Sequence, residues 1–589
     1  MLFHIKGILL NRVAIVTRFL ITAMNRTLIF FGICCLTLSS VAQTFEAESG
    51  SLTGTEIANS RAGYSGDGYV TGFDNDGDAV SIPVTVSGAG LYDLWVGYAA
   101  PNGEKTNDIY VNGSYAGSQI FPSSQSFEEG YFGKVMLDKE NNRIKIVKNW
   151  GYFEVDYVRV TPTTPNEIHH YPNELIHPNP SFEAATLYLF LRDYYGHRVI
   201  SGQQANAGGD QELDYLNAKT GHLPAIKGFD LIDYSPSRVA NGTSSEETDL
   251  ALEWWNEQQG IVSMMWHWNA PKDLLDTDDA PWWSGFYTYA TTFDPTEAMN
   301  DETSEAYELI IRDIDVIAEE LKRLQSADVP VLWRPLHEAE GGWFWWGSKG
   351  PDVCVWLWKL MYDRMTNEHG LDNLIWVWTG TNSEEALDWY PGDGYVDIIG
   401  ADIYLEDGNY ATNFSMFDDM AGIHEGSKVI TLSETGTIPV PDELDKQKAR
   451  WSWFMVWSGD FIMDGQKNEV DHLIDVYQHD YVITLDELPD FYQYESPDFP
   501  DEEVIPLGIS SQLQVRAFPN PTTDFLYIES KRETIEKIQL FDLQGLELPV
   551  RTTGVGTRKT MDLRMLTKGT YLIRLWTDQG ARGLKVMVE

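Results

Sequence analysis

Between residues 168 and 495 the chain alternates apolar, β-rich segments with helical ones eight times, a rhythm that few architectures accept. The candidate strands are Arg198–Gln203, Leu223–Asp230, Ile261–Trp268, Val329–Pro335, Leu374–Thr379, Val396–Tyr404, Lys428–Glu434 and Trp453–Ser458. Before the fourth, Ile310, Ile314, Ile317, Leu321 and Leu324 recur at spacings of four and three, the apolar stripe of an amphipathic helix. Eight strand–helix units predict a closed (β/α)8 TIM barrel, in which the working side chains stand where strands end.

Two of those ends carry the strongest local signals, each built on a glutamate. Trp333-Arg334-Pro335-Leu336-His337-Glu338 closes the fourth strand and is followed by Trp343-Phe344-Trp345-Trp346. Aromatic neighbours predict partial desolvation of Glu338 and a raised pKa, which suits a proton donor working near neutrality. Val429-Ile430-Thr431-Leu432-Ser433-Glu434 is an apolar strand ending in a second acid, the candidate nucleophile. The 96-residue interval between the two acids matches three βα repeats of about 30 residues, placing them on strands four and seven. Across a barrel mouth such a pair can approach to about 5–5.5 Å, where one carboxylate attacks an anomeric carbon while the other protonates the leaving oxygen and later activates water. This chemistry needs no metal or organic cofactor. His267 and His337 lack the closely spaced partners of a zinc site.

The rest of the chain reads as attachments to this barrel. Residues 1–42 hold no Asp or Glu, and the run from Met24 through Arg26 and Leu28–Leu38 to Ala42 predicts a signal peptide, with residues 1–23 as an upstream extension. No later segment offers about 20 uninterrupted apolar residues, so the mature chain is expected to be soluble. With Cys34 and Cys35 in the leader, only Cys354 remains and no internal disulfide is expected. Residues 43–162, with short runs such as Ala79–Val86 and Leu91–Tyr98 between turn residues, predict an N-terminal β-sandwich. Residues 163–167 read as a linker, 496–513 as an acidic linker, and 514–589 as a small C-terminal β-sandwich. A formal net charge of -47 argues against nucleic acid or anionic lipid as partner. The 21 Trp and 29 Tyr supply flat rings of the kind that sugar faces stack on, which favours a neutral polymer.

Residues 168–495 resemble glycoside hydrolase family 26, dominated by β-mannanases, through GHRVISGQQ at Gly196, WRPLHE with GGWFWW after it, GADIY at Gly400 and ITLSETG at Ile430. The resemblance implies a retaining endo-β-1,4-mannanase acting on mannan, glucomannan or galactomannan of plant or algal origin. By the same resemblance His337 orients the acid and contacts the sugar, Tyr404 hydrogen-bonds the nucleophile, His267 belongs to the same subsite, and Trp343 and Trp457 form stacking walls. Arg334 and Asp402 are expected to give supporting polar contacts. β-1,3-Xylan or mixed-linkage β-glucan as substrate, exo-acting mannobiohydrolase action, and a non-catalytic surface glycan-binding role stay open as alternatives.

Residues 43–162 resemble carbohydrate-binding module family 35, through Phe45-Glu46-Ala47-Glu48 and Gly151-Tyr152-Phe153-Glu154-Val155-Asp156-Tyr157-Val158. That implies a structural calcium, with Glu46, Glu48 and Asp156 as candidate ligands, because a hard cation takes carboxylate oxygens. Two acids two apart on one strand are expected to share a face. Trp150, with Asn149 and Tyr64, is the candidate sugar platform. Residues 514–589 resemble the sorting domain of the type IX secretion system, through Phe518-Pro519-Asn520-Pro521, Leu540-Phe541-Asp542-Leu543-Gln544-Gly545 and Gly569-Thr570-Tyr571-Leu572. From Arg516 onward twelve Lys or Arg face nine Asp or Glu, against the acidity of the rest. These readings imply a secreted or cell-surface monomer, exported through the periplasm and handled by type IX machinery.

Overall fold

The computed structural model describes residues 42–166, 175–497 apart from 207 and 381–385, and most of 515–588. Residues 1–41, most of the acidic linker, and parts of the Phe518–Pro521 and Leu540–Gly545 motifs lie outside the described residues.

The N-terminal region is a sandwich of two antiparallel sheets. One runs in the order Glu56–Ala58, Tyr69–Thr71, Glu154–Pro162, Gly90–Ala100 and Ser124–Leu137, with Gln43–Glu46 also paired to Glu154–Pro162. The other runs Ser51–Thr53, Ala79–Val86, Glu140–Lys148, Lys105–Val111 and Ser114–Phe121. Period-two alternation decides which side chains go inside. In Ala79–Val86, Val80, Ile82, Val84 and Val86 are buried, while Pro83 and Thr85 face water. One expectation fails here. Glu48 does not continue the first strand, because the chain turns at Ala47–Ser49. Ser49 Oγ donates to the Glu46 carbonyl at 2.7 Å and the Gly50 N–H to the Ala47 carbonyl at 2.9 Å, so the face-sharing argument for Glu46 and Glu48 does not apply.

Eight parallel strands form the barrel: β1 (Val199–Gln204), β2 (Ile226–Asp230), β3 (Ile261–Met265), β4 (Val331–Arg334), β5 (Leu374–Thr379), β6 (Ile398–Ile403), β7 (Val429–Thr435) and β8 (Trp453–Val456). Each pairs with the next, and β8 pairs with β1, which closes the ring. A short strand, Val482–Ile483, adds to the outer end of β1. Burial on both faces explains why these strands read as continuous apolar runs instead of alternating ones. β3 ends earlier than its apolar run, at Met265, because the His267 N–H leaves the ladder for Asp230 Oδ1 at 3.1 Å and the Trp268 N–H folds back onto the Trp266 carbonyl at 2.8 Å.

Helix α1 (Glu305–Gln325) precedes β4. Ser304 caps it by accepting from the Tyr307 N–H at 3.2 Å, and Ile310, Ile314, Ile317, Leu321 and Leu324 are all fully buried. Burying each such side chain stabilises the fold by about 1.5–3 kcal/mol.

The sandwich packs on the barrel through helix α2 (Phe414–Ile423), which lies against strand Ser124–Leu137. Asp418 on α2 is 2% exposed and meets Lys134 Nζ at 2.8 Å, the Asn166 N–H at 2.8 Å and Asn166 Nδ2 at 2.9 Å. One buried carboxylate thus ties the sandwich and the segment leaving it to the barrel. Leu91 joins the barrel's apolar core and Met136 packs against it.

The C-terminal unit has two four-stranded antiparallel sheets, one with Val515–Phe518, Phe525–Ser530, Arg558–Asp562 and Arg551–Thr553, the other with Glu547–Leu548, Ile535–Phe541, Gly569–Thr577 and Gly580–Val588. Leu526, Ile528, Leu540, Met561, Ile573, Leu575 and Val586 form its core.

Candidate active site

The sequence forces an abrupt turn after β4. Pro335 cannot donate to the ladder, and both Leu336 (φ 51°) and Glu338 (φ 52°) adopt left-handed backbone before the turn Ala339–Gly341. Such residues cost about 1–3 kcal/mol each and persist where the surrounding structure holds them. The outcome is that Glu338 stands at the barrel mouth with Trp343 beside it, the indole Nε1 donating to Glu338 Oε2 at 2.9 Å. Gly341 makes that placement possible, since a Cβ there would come within 2.1 Å of the Trp343 ring.

Glu434, 5% exposed, stands near the end of β7 and receives two hydrogen bonds: Arg334 Nη2 donates to Oε2 and the Tyr404 hydroxyl to Oε1. Arg334 Nη1 also donates to Asp402 Oδ2 at 2.7 Å, and Ser433 Oγ to Asp402 Oδ1 at 2.7 Å. One oxygen each of Glu338, Asp402 and Glu434 lies within 4.8 Å of the others.

Three carboxyl groups thus share one guanidinium, and their protonation follows from that shortage of positive charge. Burial, then the charge of Glu434, pushes the Glu338 carboxyl up, against Arg334 and the Trp343 hydrogen bond. Burial also raises Asp402 well above the usual carboxylate range, opposed by Arg334 and helped by Glu434. For Arg334 burial opposes the charge, but Asp402 and Glu434 outweigh it and keep the guanidinium protonated. Burial and Glu434 push the Tyr404 phenol up, which keeps it a donor.

A second polar chain enters from β2 and β3. His267 Nδ1 meets Asp230 Oδ2 at 2.7 Å, and His267 Nε2 meets His337 Nε2 at 3.2 Å. Burial, then Arg334 and His267, hold the His337 pKa well below its usual value, so this ring is neutral. The two Nε2 atoms thus share a single hydrogen bond that links Asp230, His267 and His337 in a chain. His337 Nδ1 is buried with no partner among the described residues. Trp457 lies edge-on to His267 with ring centres 5.9 Å apart, and Phe344 and Phe286 pack on the same imidazole at 5.5 and 5.1 Å. Trp343 and Tyr404 remain 48% and 44% exposed, so a ligand in the mouth can reach both rings.

The structure therefore gathers Glu338, Glu434, His267, His337, Trp343, Tyr404, Trp457, Arg334 and Asp402 around one opening. Asp230 belongs with them and was missed by sequence reasoning. It ends a strand, as Glu434 nearly does, and a carboxylate at a barrel-strand end was the signal available.

In the sandwich the three acids meet around the loop at Ser65–Asp67. Ser65 Oγ donates to Glu46 Oε2 at 2.6 Å, the Ser65 N–H to Asp156 Oδ2 at 2.9 Å and the Asp67 N–H to Glu48 Oε1 at 2.8 Å. Trp150 is 59% exposed, with Lys105 Nζ 5.1 Å from its ring centre. Asn149 Nδ2 beside it donates to Asp108 Oδ1 at 3.2 Å. Tyr64 instead sits in the loop of the acidic group, packed on Tyr69 at 5.8 Å.

Comparison with known proteins gives this geometry a family. Residues 176–487 match glycosyl hydrolase family 26, 43–163 a carbohydrate binding module of family 35, and 516–589 a secretion system C-terminal sorting domain, which marks the chain for export. A mannan endo-1,4-β-mannosidase of Thermothelomyces thermophilus is 44% identical over 451 residues, covering 76% of this chain and 91% of that protein. Mannan endo-1,4-β-mannosidase B of a Piromyces species is 39% identical, covering 77% and 79%. The crystal structure of a Podospora anserina family 26 β-(1,4)-mannanase with a family 35 module superposes with a TM-score of 0.56 at 43% identity, covering 77% of this chain and 99% of that one. On its barrel, its attached module and these relatives, the chain belongs to glycosyl hydrolase family 26.

Proposed function

We propose that the protein is a retaining endo-β-1,4-mannanase. The observation that carries the reading is the approach of the Glu338 and Glu434 oxygens to within 4.8 Å, close to the roughly 5–5.5 Å of retaining enzymes and short of the roughly 6.5–9.5 Å that an inverting pair leaves for water. Glu434 attacks the anomeric carbon as the glycosidic C–O bond breaks, and Glu338 gives its proton to the departing oxygen. Glu338, now a carboxylate, takes a proton from water, whose oxygen attacks the same carbon and releases Glu434. Arg334 and Tyr404 hold Glu434 in place through their hydrogen bonds to its two oxygens. Mannan as the polymer rests on the relatives' activity, and both mannosidases align along more than three-quarters of their length.

Product profiles over time on galactomannan, glucomannan, β-1,3-xylan and mixed-linkage β-glucan test this. The expected result is falling viscosity and a spread of oligosaccharides from the mannans at the earliest times. Mannobiose alone from the outset would mean exo action. Absence of products from every mannan would defeat the substrate assignment.

The pH profile adds a test of Glu338. The Trp343 hydrogen bond holds its pKa down, so Trp343→Phe should let it rise. A general acid works below its pKa, so the alkaline limb of kcat/KM should move to higher pH in the variant. Movement to lower pH contradicts the role assigned to Glu338.

For the sandwich we propose a structural calcium with Glu46, Glu48 and Asp156 as its ligands. Glu48 Oε2 is buried without a partner, and the Asp156 carboxyl is pushed up to about 6 by burial and by Glu46 and Glu48, a set short of positive charge. An ion present at a hundredfold its Kd stabilises the folded form by about 2.7 kcal/mol. Chelation should therefore lower the Tm of the sandwich transition and added calcium restore it; a transition indifferent to both contradicts the site. Trp150 with Asn149 would take the sugar. Type IX machinery would recognise the C-terminal unit after passage through the periplasm, and the enzyme would act as a monomer.

A further inference from the structure

The loops after β7 and β8 meet at one side chain. Asn468 is fully buried, donates from Nδ2 to the carbonyls of Gly436 at 2.9 Å and Phe461 at 2.8 Å, and accepts from the Ile438 N–H at 2.9 Å. Gly436 lies two residues beyond Glu434. A Cβ on it would stand 3.0 Å from the Tyr404 ring and 3.3 Å from the Phe461 ring. Phe461 packs on Tyr404 with ring centres 5.3 Å apart. Tyr404, 44% exposed, is thus oriented by the Gly436 backbone, by Phe461 and by its hydrogen bond to Glu434. Two neighbouring contacts knit the same loops: His472 Nε2 lies 2.8 Å from the Ile438 carbonyl, and the Tyr410 ring stacks on His472 at 3.5 Å.

Only a carboxamide supplies two donors and one acceptor in that space. Aspartate would turn a negative oxygen toward two carbonyls, and an apolar side chain would leave all three backbone groups unpaired. We propose that Asn468 is a positioning residue for the nucleophile, acting through Gly436 and Phe461 on Tyr404 and through Tyr404 on Glu434. This rests on the reading of Glu434 as the nucleophile. A misplacement near 1 Å at reacting groups costs about 10²-fold in rate.

The test is a double-mutant cycle of Asn468→Asp with Tyr404→Phe, reading kcat and KM on the mannan that the wild type cleaves best, with thermal unfolding alongside. Asn468→Asp should lower kcat by about 10²-fold and leave KM within about threefold. In the Tyr404→Phe background it should cost less than about threefold more, because the path it acts through is already cut. An equal fold loss in both backgrounds, or a loss carried by KM, overturns the proposal. Should Asn468→Asp not fold, Phe461→Ala at a half-buried position takes its place in the cycle with the same two outcomes. A wild type that ignores mannans but cleaves another glycan of the panel overturns the substrate reading alone, and the cycle is then read on that glycan.

Discussion

Glu434→Ala should abolish turnover of polysaccharide and activated aryl glycosides alike, by a factor on the order of 10⁵. In the proposed double displacement Glu434 takes part in both half-reactions, first by forming a bond to the anomeric carbon and then by leaving it, so no choice of leaving group would relieve its loss. The variant should still fold, because the side chain it removes anchors no strand: β7 is held by its ladder to β6 and β8. Steady-state rates on mannan and on a dinitrophenyl mannoside check this. A residual rate on the aryl substrate within about 10²-fold of wild type would place the nucleophile elsewhere.

Glu338→Ala should separate the two substrates. Protonation of the departing oxygen contributes about 10²–10⁴-fold where the leaving group is a sugar alcohol. A dinitrophenolate departs without a proton, so the first step should persist and the second, which lacks its base, should lag. The expected signature is a burst of phenol equal to the enzyme concentration, then slow turnover. Equal losses on both substrates, with no burst, would mean that the acid and nucleophile assignments are wrong.

The fold was legible because its signals are local. β5 spans Leu374–Thr379, the same residues its apolar run marks, and the stripe from Ile310 to Leu324 is the buried face of α1. Glu338 and Glu434 were legible for the same reason, because a carboxylate after an apolar run is visible without knowing its neighbours. What stayed hidden depends on pairs distant in sequence. Asp230 takes the N–H of His267 and so ends β3 before its apolar run does, yet nothing in Ile261–Trp268 reveals the competitor. Asn468 reaches back to Gly436 and Ile438 from a polar stretch with no periodicity to mark it. Glu48 was misplaced because Phe45-Glu46-Ala47-Glu48 alternates like a strand, while Ser49 and Gly50 close a turn behind it. In each case a hydrogen bond outside the apolar pattern decided the local structure.

The charge balance of the site explains why three carboxyl groups tolerate one another. Arg334 lies between Asp402 and Glu434 while Trp343 and Tyr404 donate to Glu338 and Glu434, so each acid has a partner and Glu338 alone is both raised and open to the mouth. In the proposed mechanism that asymmetry would make Glu338 the proton source and Glu434 the nucleophile.

The most direct measurement is the anomeric configuration of the first-formed product, followed by proton NMR in the seconds to minutes before mutarotation scrambles it. Double displacement through Glu434 predicts that the new reducing end appears first as the β-anomer and then decays toward equilibrium. An α-anomer at the earliest times would mean single displacement by water, and neither Glu338 as acid and base nor Glu434 as nucleophile would survive that result.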